Sequence, residues 1–178
     1  VHNDLILFGS CDHNVYAVLL EGEEVWRFKT NDLVMNSSPL VYEGILYVGS
    51  YDHNLYAISA GNGKETWHFK TGGKIASTPN VSEGVVYFTS QDRHVYALDA
   101  GTGEEIWRFK TGDEIASMPT IWKDMLFVGS YDGYLYALGR RTGREIWRFR
   151  TGGHVNNWYE NPVRYGIISV SYTHLRAH

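Results

Sequence analysis

Ala97-Leu98-Asp99-Ala100-Gly101-Thr102-Gly103-Glu104-Glu105-Ile106-Trp107-Arg108-Phe109-Lys110-Thr111 is the stretch on which the reading of this chain turns. Its second half returns as VWRFKT at 25–30, TWHFKT at 66–71 and IWRFRT at 146–151. The tryptophans Trp26, Trp67, Trp107 and Trp147 therefore recur at a near-constant interval of about 40 positions. Upstream, the pair Tyr-Ala recurs at Tyr16-Ala17, Tyr56-Ala57, Tyr96-Ala97 and Tyr136-Ala137, at intervals of 40. Ahead of each pair stands FGSCDHN, VGSYDHN, FTSQDRH or VGSYDGY. The first copy has one residue fewer before its Trp and one more before Pro39, so the register recovers. Self-similarity at a fixed period of this size marks a solenoid, a propeller or a repeat array.

Within one copy the period is two, the signature of strands. In the third copy Val86, Phe88 and Ser90 alternate with Val85, Tyr87 and Thr89. Polar turns then separate His94–Asp99 from Glu105–Lys110, and a short segment from Ile115 to Ile121 holds Pro119. No ten-residue stretch places apolar residues at helical spacing. Four short antiparallel strands in about 40 residues describe one propeller blade. The fold class expected is all-β: a partial β-propeller of about four four-stranded antiparallel blades. The blades are placed at about 4–33, 34–71, 74–111 and 114–151, and a further one begins at 155–169. Trp107 and Phe109 face one side of their strand and Arg108 and Lys110 the other, which suits an outer strand whose edge is guarded by charge. The segments at Pro39, Pro79 and Pro119 are expected in the innermost strand, where a missing N–H is tolerated.

Composition agrees with a folded chain: 43% hydrophobic, 15% aromatic, with 19 Gly against 4 Pro in 178 residues. A disordered chain lacks the aromatics. A net charge of −4 argues against a nucleic-acid binder, which usually carries a basic excess. The single cysteine, Cys11, leaves no internal disulfide and no multi-cysteine metal or haem motif. No apolar run is long enough to span a membrane as a helix.

The run Ala97 to Trp107 resembles the tryptophan-docking motif of pyrroloquinoline-quinone-type (PQQ-like) β-propeller repeats, Ala-x-Asp-x-x-Thr-Gly-x-Glu-x-Trp. The third copy matches fully. The fourth has Gly139 at the Asp position, the second has Ser59 and Asn62 for Asp and Thr, and the first, Ala17 to Trp26, has lost the Thr-Gly turn. The resemblance, BamB-like in type, covers residues 4 to 166. It implies that Trp26, Trp67, Trp107 and Trp147 stack between neighbouring blades, with Ala17, Ala57, Ala97, Ala137 and Asp99 completing the docking motif. Such propellers close with about seven or eight blades, so the chain is expected to be part of a ring, its remaining blades lying in the parent protein. After Gly166 the phase is lost. Residues 170–178 read as a non-native tail, similar to translated adaptor sequence, and are set aside.

Few residues suggest chemistry. His13 and His53 occupy equivalent turns, but Arg93 and Gly133 replace them later, so solvated hairpin turns explain them better than metal ligands. The cation pairs Arg27/Lys29, His68/Lys70, Arg108/Lys110 and Arg148/Arg150 form a rim stripe that Glu23, Glu24, Glu65, Glu104, Glu105 and Glu145 offset. The irregular stretch His154 to Pro162 contains Asn157, Trp158, Glu160 and Asn161, the residue types with which quinoprotein dehydrogenases of the resembled family hold quinone and Ca²⁺. The adjacent-cysteine disulfide of those enzymes is impossible here. Three functions follow as expectations. The first is a non-catalytic, protein-binding scaffold, similar to BamB-like cell-envelope assembly factors, periplasmic or at the cell surface, using rim or blade edges. The second is a segment of a PQQ-dependent dehydrogenase, with PQQ and Ca²⁺ as cofactors. The third is the sensor propeller of a Ser/Thr kinase. The first is preferred, with no cofactor, no nucleic acid and no transmembrane segment; a cytoplasmic location stays open. No nucleophile–base pair, phosphate loop or metal cluster is legible, so no catalytic residue is named and the balance is against an enzyme.

Overall fold

The structure, a computed structural model, describes residues 4–155. Every regular element among them is a strand. The first sheet holds β1 (Leu5–Gly9), β2 (Asn14–Leu19) and β3 (Glu24–Lys29). The second holds β4 (Leu40–Tyr42), β5 (Ile45–Gly49), β6 (Asn54–Ser59) and β7 (Glu65–Lys70). The third holds β8 (Asn80–Ser82), β9 (Val85–Thr89), β10 (His94–Asp99) and β11 (Glu105–Lys110). The fourth holds β12 (Thr120–Trp122), β13 (Met125–Gly129), β14 (Tyr134–Gly139) and β15 (Glu145–Arg150). Strands follow one another in sequence order across each sheet, all antiparallel. The expected partial propeller of about four antiparallel blades is what the sheets form, with three strands in the first among the described residues and four in each of the others. No described helix is long and apolar enough to cross a membrane.

The proline-bearing strands differ from expectation. Pro39, Pro79 and Pro119 each stand one residue before β4, β8 and β12, not within them. Proline lacks the N–H that a ladder needs, so pairing begins only after it. Upstream, Val34, Ile75 and Ile115 lie outside the strands, yet their side chains are buried in the three junction cores. The phrase read as a strand is mostly a loop that carries a core residue across the junction.

The sheets are stacked through their faces. Three core clusters of similar make-up fill the three junctions. Val15, Ala17 and Trp26 meet Leu46, Tyr56 and Ile58. Tyr47, Leu55 and Ala57 meet Val86, Tyr96 and Leu98. Tyr87, Val95 and Trp107 meet Leu126, Tyr136 and Leu138. In the middle sheets, alternate residues of one strand feed different cores: Tyr47 serves one and Leu46 the other. That is why β5, β6, β9 and β10 are nearly apolar throughout, although each is antiparallel. Each Leu or Ile buried this way contributes about 1.5–3 kcal/mol.

One polar group recurs inside this core. Ser117 is fully buried; its hydroxyl donates to Gly129 O at 2.8 Å and accepts from Gly129 N–H at 2.9 Å. Ser37 accepts from Gly49 N–H in the second sheet in the same way. Removing the hydroxyl takes this partner from both backbone groups of Gly129 in a buried setting. Ser117→Ala is expected to lower stability by about 1–3 kcal/mol, read as a lower urea midpoint with an unchanged slope.

Candidate functional site

The residues that the sequence singles out converge on the junctions between sheets. Trp26 Nε1–H donates to Ala60 O of the second sheet at 3.0 Å. Trp67 donates to Ala100 O of the third at 3.1 Å, and Trp107 to Arg140 O of the fourth at 3.0 Å. Each indole lies flat over the glycine of the turn it reaches. A Cβ built on Gly63, Gly103 or Gly143 would stand 2.7, 2.7 and 2.6 Å from the indole Cδ2 of Trp26, Trp67 and Trp107. Those glycines also have φ of 70, 75 and 67°, a region that a side chain disfavours. The turn thus offers an open carbonyl and a flat, side-chain-free floor. A buried Trp needs both, one for its N–H and one for its ring.

Ala17, Ala57, Ala97 and Ala137 are fully buried and stand opposite Trp26, Trp67, Trp107 and Trp147 in their own sheets. A one-residue bulge follows each Ala. The small side chain leaves space for the indole beside it. Asp99 serves a different purpose: its Oδ1 accepts Gly101 N–H at 3.0 Å and Thr102 N–H at 2.8 Å, closing the turn that Trp67 covers. Asn157, Trp158, Glu160 and Asn161, and residues 170–178, lie outside the described residues.

A second junction device is legible from sequence only as turn chemistry. Asp52, Asp92 and Asp132 accept an N–H two residues on through Oδ1, as an Asx turn requires. Their Oδ2 atoms accept a hydroxyl from Tyr56, Tyr96 and Tyr136, each at 2.7 Å. The same oxygens accept the amides of Asn31, Gly72 and Gly112, which belong to the loop leaving the preceding sheet. One carboxylate therefore closes a hairpin, anchors a buried tyrosine and ties two blades. The recurrence of Asp and Tyr four residues apart in every copy was the available signal. His13, His53, Arg93 and Gly133 have φ of 71, 76, 74 and 82°. This turns their carbonyls to the amides of Thr30, Thr71, Thr111 and Thr151 at 2.8–2.9 Å. The position is chosen for backbone geometry, which explains why His, Arg and Gly interchange there.

The rim is formed by β3, β7, β11 and β15, each at the edge of its sheet. Three arginines and His68 on it meet glutamates three residues earlier on the same strand: Arg27–Glu24 at 2.6 Å, His68–Glu65 at 2.7 Å, Arg108–Glu105 at 3.4 Å and Arg148–Glu145 at 3.6 Å. Exposed pairs of this kind contribute about 0–1 kcal/mol each. Between them Val25, Ile106 and Ile146 stand exposed at one repeated position. A cleft of about 220 Å³ opens beside Ile106, walled by Ser82, Val85, Tyr87, Trp107 and Arg140. Sequence reading passed over Arg140, which replaces Ala60 and Ala100 of the earlier copies. Its buried guanidinium reaches back to Glu83 at 2.9 Å and to Ser82 Oγ, joining the fourth sheet to the third. This hydrogen bond holds the Glu83 carboxyl below its ordinary range. Among the described residues no group of three His, Cys, Asp or Glu side chains converges as a metal site.

Two measurements follow from the junctions. Gly103→Ala meets both the indole of Trp67 and a left-handed backbone, whereas Gly22→Ala, at φ 88°, meets only the backbone term, with nothing within 4 Å. Gly22→Ala should cost about 1 kcal/mol and Gly103→Ala about 1–3 kcal/mol more, compared by chemical denaturation. Acid should act through the aspartates. Burial pushes Asp92 up, but hydrogen bonds from Tyr96, Gly72 N–H and His94 N–H outweigh it and hold the group below its usual value. The Tyr16 hydroxyl leads a set of bonds that holds Asp12 down at about 2. A carboxyl depressed in the folded state lends stability above its unfolded value of about 3.9 and loses it as pH falls through the folded value. The urea midpoint is expected to hold from pH 7 to about 5 and to fall below about 4, and to fall less steeply in Asp92→Asn.

Against known proteins, the family profile described as outer membrane protein assembly factor BamB matches residues 12–148 and again 94–163. No curated protein matches the chain by sequence. Among solved structures, BamB from Moraxella catarrhalis superposes with a TM-score of 0.72 at 19% identity, over 84% of this chain and 46% of that one. The computationally designed Ika8 protein gives 0.77 at 15% identity, over 88% and 49%. The quinohemoprotein alcohol dehydrogenase ADHIIG from Pseudomonas putida HK5 gives 0.60 at 24% identity, over 65% and 20%. The chain spans about half the length of the first two. These likenesses show the fold, a partial β-propeller of PQQ-like repeats. With the profile covering more than half of its residues, the chain belongs to the BamB family of outer membrane protein assembly factors.

Proposed function

We propose that this chain is a non-catalytic, protein-binding propeller module of the bacterial cell envelope, periplasmic or at the cell surface, serving outer membrane protein assembly as its family's description names. The observation that carries the reading is the rim at the junction of the third and fourth sheets. There an exposed Ile106 on the edge strand β11 borders a cleft that Arg141 of the turn after β14 also lines, with Arg141 3.3 Å from Glu83. An apolar anchor point with a charged border is the make-up of a protein-contact hot spot. At about 220 Å³ the cleft is smaller than cofactor-sized pockets, which run to about 300–1,000 Å³. A partner's single apolar side chain suits it better. The open edges of β3, β7, β11 and β15 add backbone groups to which an extended segment can pair.

The alternative, a segment of a PQQ-dependent dehydrogenase, is supported by the likeness to the Pseudomonas putida enzyme. It predicts heat on titrating the chain with PQQ and Ca²⁺. The scaffold reading predicts none, and instead a discrete protein adduct from a photo-cross-linker placed at position 106 in cells exporting the chain to the periplasm. Ile106→Asp should weaken binding of the cross-linked partner about tenfold or more, with an unchanged far-UV spectrum. Heat with PQQ and Ca²⁺, and no adduct at position 106, would overturn the scaffold reading.

A further inference from the structure

Arg140, Arg141 and Arg144 stand together in the turn between β14 and β15. The same places hold Ala60, Gly61 and Lys64 in the second sheet and Ala100, Gly101 and Glu104 in the third. Across the junction Arg140 and Arg141 meet Glu83 of the third sheet, and Asp124 of their own sheet stands beside them. One repeat earlier, these five positions are Glu43, Gly84, Ala100, Gly101 and Glu104, which hold two carboxylates and no cation. The sign of the corner therefore reverses from one junction to the next. The later corner sets three cations against two carboxylates on a chain whose net charge is −4.

The junction accounts for one of the three. Arg140 is buried and bridges the sheets through Glu83 and Ser82. The side chain of Arg141 is 72% exposed, and its carboxylate contacts, at 3.3 and 4.0 Å, are surface pairs of small worth. Arg144 is exposed and makes no ion pair among the described residues. Docking needs neither of them, since the Trp107 N–H is received by the Arg140 carbonyl.

Beside these cations lies the cleft. Val85, Tyr87, Ile106 and Trp107 give it an apolar wall, and Arg140 and Arg141 stand opposite with Glu83. Ile106 is the extra residue of the β11 bulge, because Ala97 pairs with Trp107 and Leu98 with Glu105. It remains 49% exposed although its sheet has a described neighbour on either side. The corner belongs to a completed junction: Gly143, in the same turn as the arginines, faces the indole of Trp107. A sheet following the fourth would pack on its Trp147 face, as the fourth packs on the Trp107 face of the third.

We infer that the partner docks here through an acidic segment, one apolar side chain filling the cleft and neighbouring carboxylates pairing with Arg141 and Arg144. The inference rests on the rim-docking reading above and names the chemistry of the partner. Charges at the border of a contact steer encounter and select among partners more than they add affinity, and a basic segment would meet like charge. An anionic lipid offers the same charge, but a cleft of about 220 Å³ suits one side chain better than an acyl chain.

Selection of a phage-displayed library of random peptides on the full chain tests this without presuming a sequence. The expected winners carry one large apolar residue flanked by Asp and Glu. Arg141→Glu combined with Arg144→Glu, both at exposed positions, should leave the far-UV spectrum unchanged and weaken synthetic copies of the winners about tenfold or more. Selection on that double variant should return Lys and Arg in place of the acids. Lys64→Glu, at the place of Arg144 in the second sheet, should leave binding unchanged. The neutral variant Ile106→Asn separates the two readings. Winners that it weakens, but that lack acidic residues or are indifferent to the arginine reversal, overturn the acidic partner and leave the docking site standing. Winners that it leaves unaffected, or a selection with no winners, overturn both. Co-sedimentation with anionic lipid vesicles that is lost in the arginine double variant, with no acidic peptide selected, would make the ligand a membrane surface and overturn the proposal.

Discussion

A four-stranded sheet whose strands are apolar on both faces cannot be stable by itself, and the architecture follows from that constraint. Leu46, Val48, Tyr56 and Ile58 look one way from the second sheet, and Tyr47, Leu55 and Ala57 look the other. Each sheet therefore needs two neighbours, as repeat architectures require. Apolar burial is non-directional and does not by itself specify how one sheet sits on the next. Direction comes from a small set of polar contacts placed at the margins of each apolar junction. The indole N–H reaches a carbonyl on one side, and an aspartate takes an exit-loop amide on the other.

Residues inside the junctions repeat because the geometry there is the same each time, while the turns that border them and dock through backbone carbonyls differ from copy to copy. Arg140 and Arg141 stand where the second and third copies have Ala and Gly, and they bring Glu83, Ser82 and Asp124 into one polar cluster beside an exposed Ile106. The docking contact survives the departure. The Arg140 carbonyl still receives the Trp107 N–H, since that contact uses backbone. A repeat that docks through main-chain groups tolerates side-chain change at the docking position.

Much of this is legible in the linear order. The 40-residue period, the strand alternation and the turn chemistry lead to antiparallel blades without any coordinates, because hydrogen-bonded ladders and Asx turns are local. The Pro-bearing phrase misleads, since Val34, Ile75 and Ile115 look like strand residues by hydrophobicity. Their burial comes from the facing sheet and not from a ladder. The rim cations look independent of one another in sequence. In the structure Arg27, Arg108 and Arg148 each meet a glutamate three residues earlier on the same strand, which the bulge that follows each Ala turns to the same face.

What the sequence determined by itself is the repeating unit: its strands, turns, register and apolar pattern, all settled by interactions among residues within one period. The tertiary structure alone decided which atoms meet across periods. The partner of each Trp lies 33 or 34 residues further on, and the donor to each aspartate's Oδ2 comes from about 20 residues earlier. Those contacts depend on the angle at which one sheet rests upon the next. That angle arises from twist and side-chain volume summed over a whole blade, which no local pattern in the chain encodes.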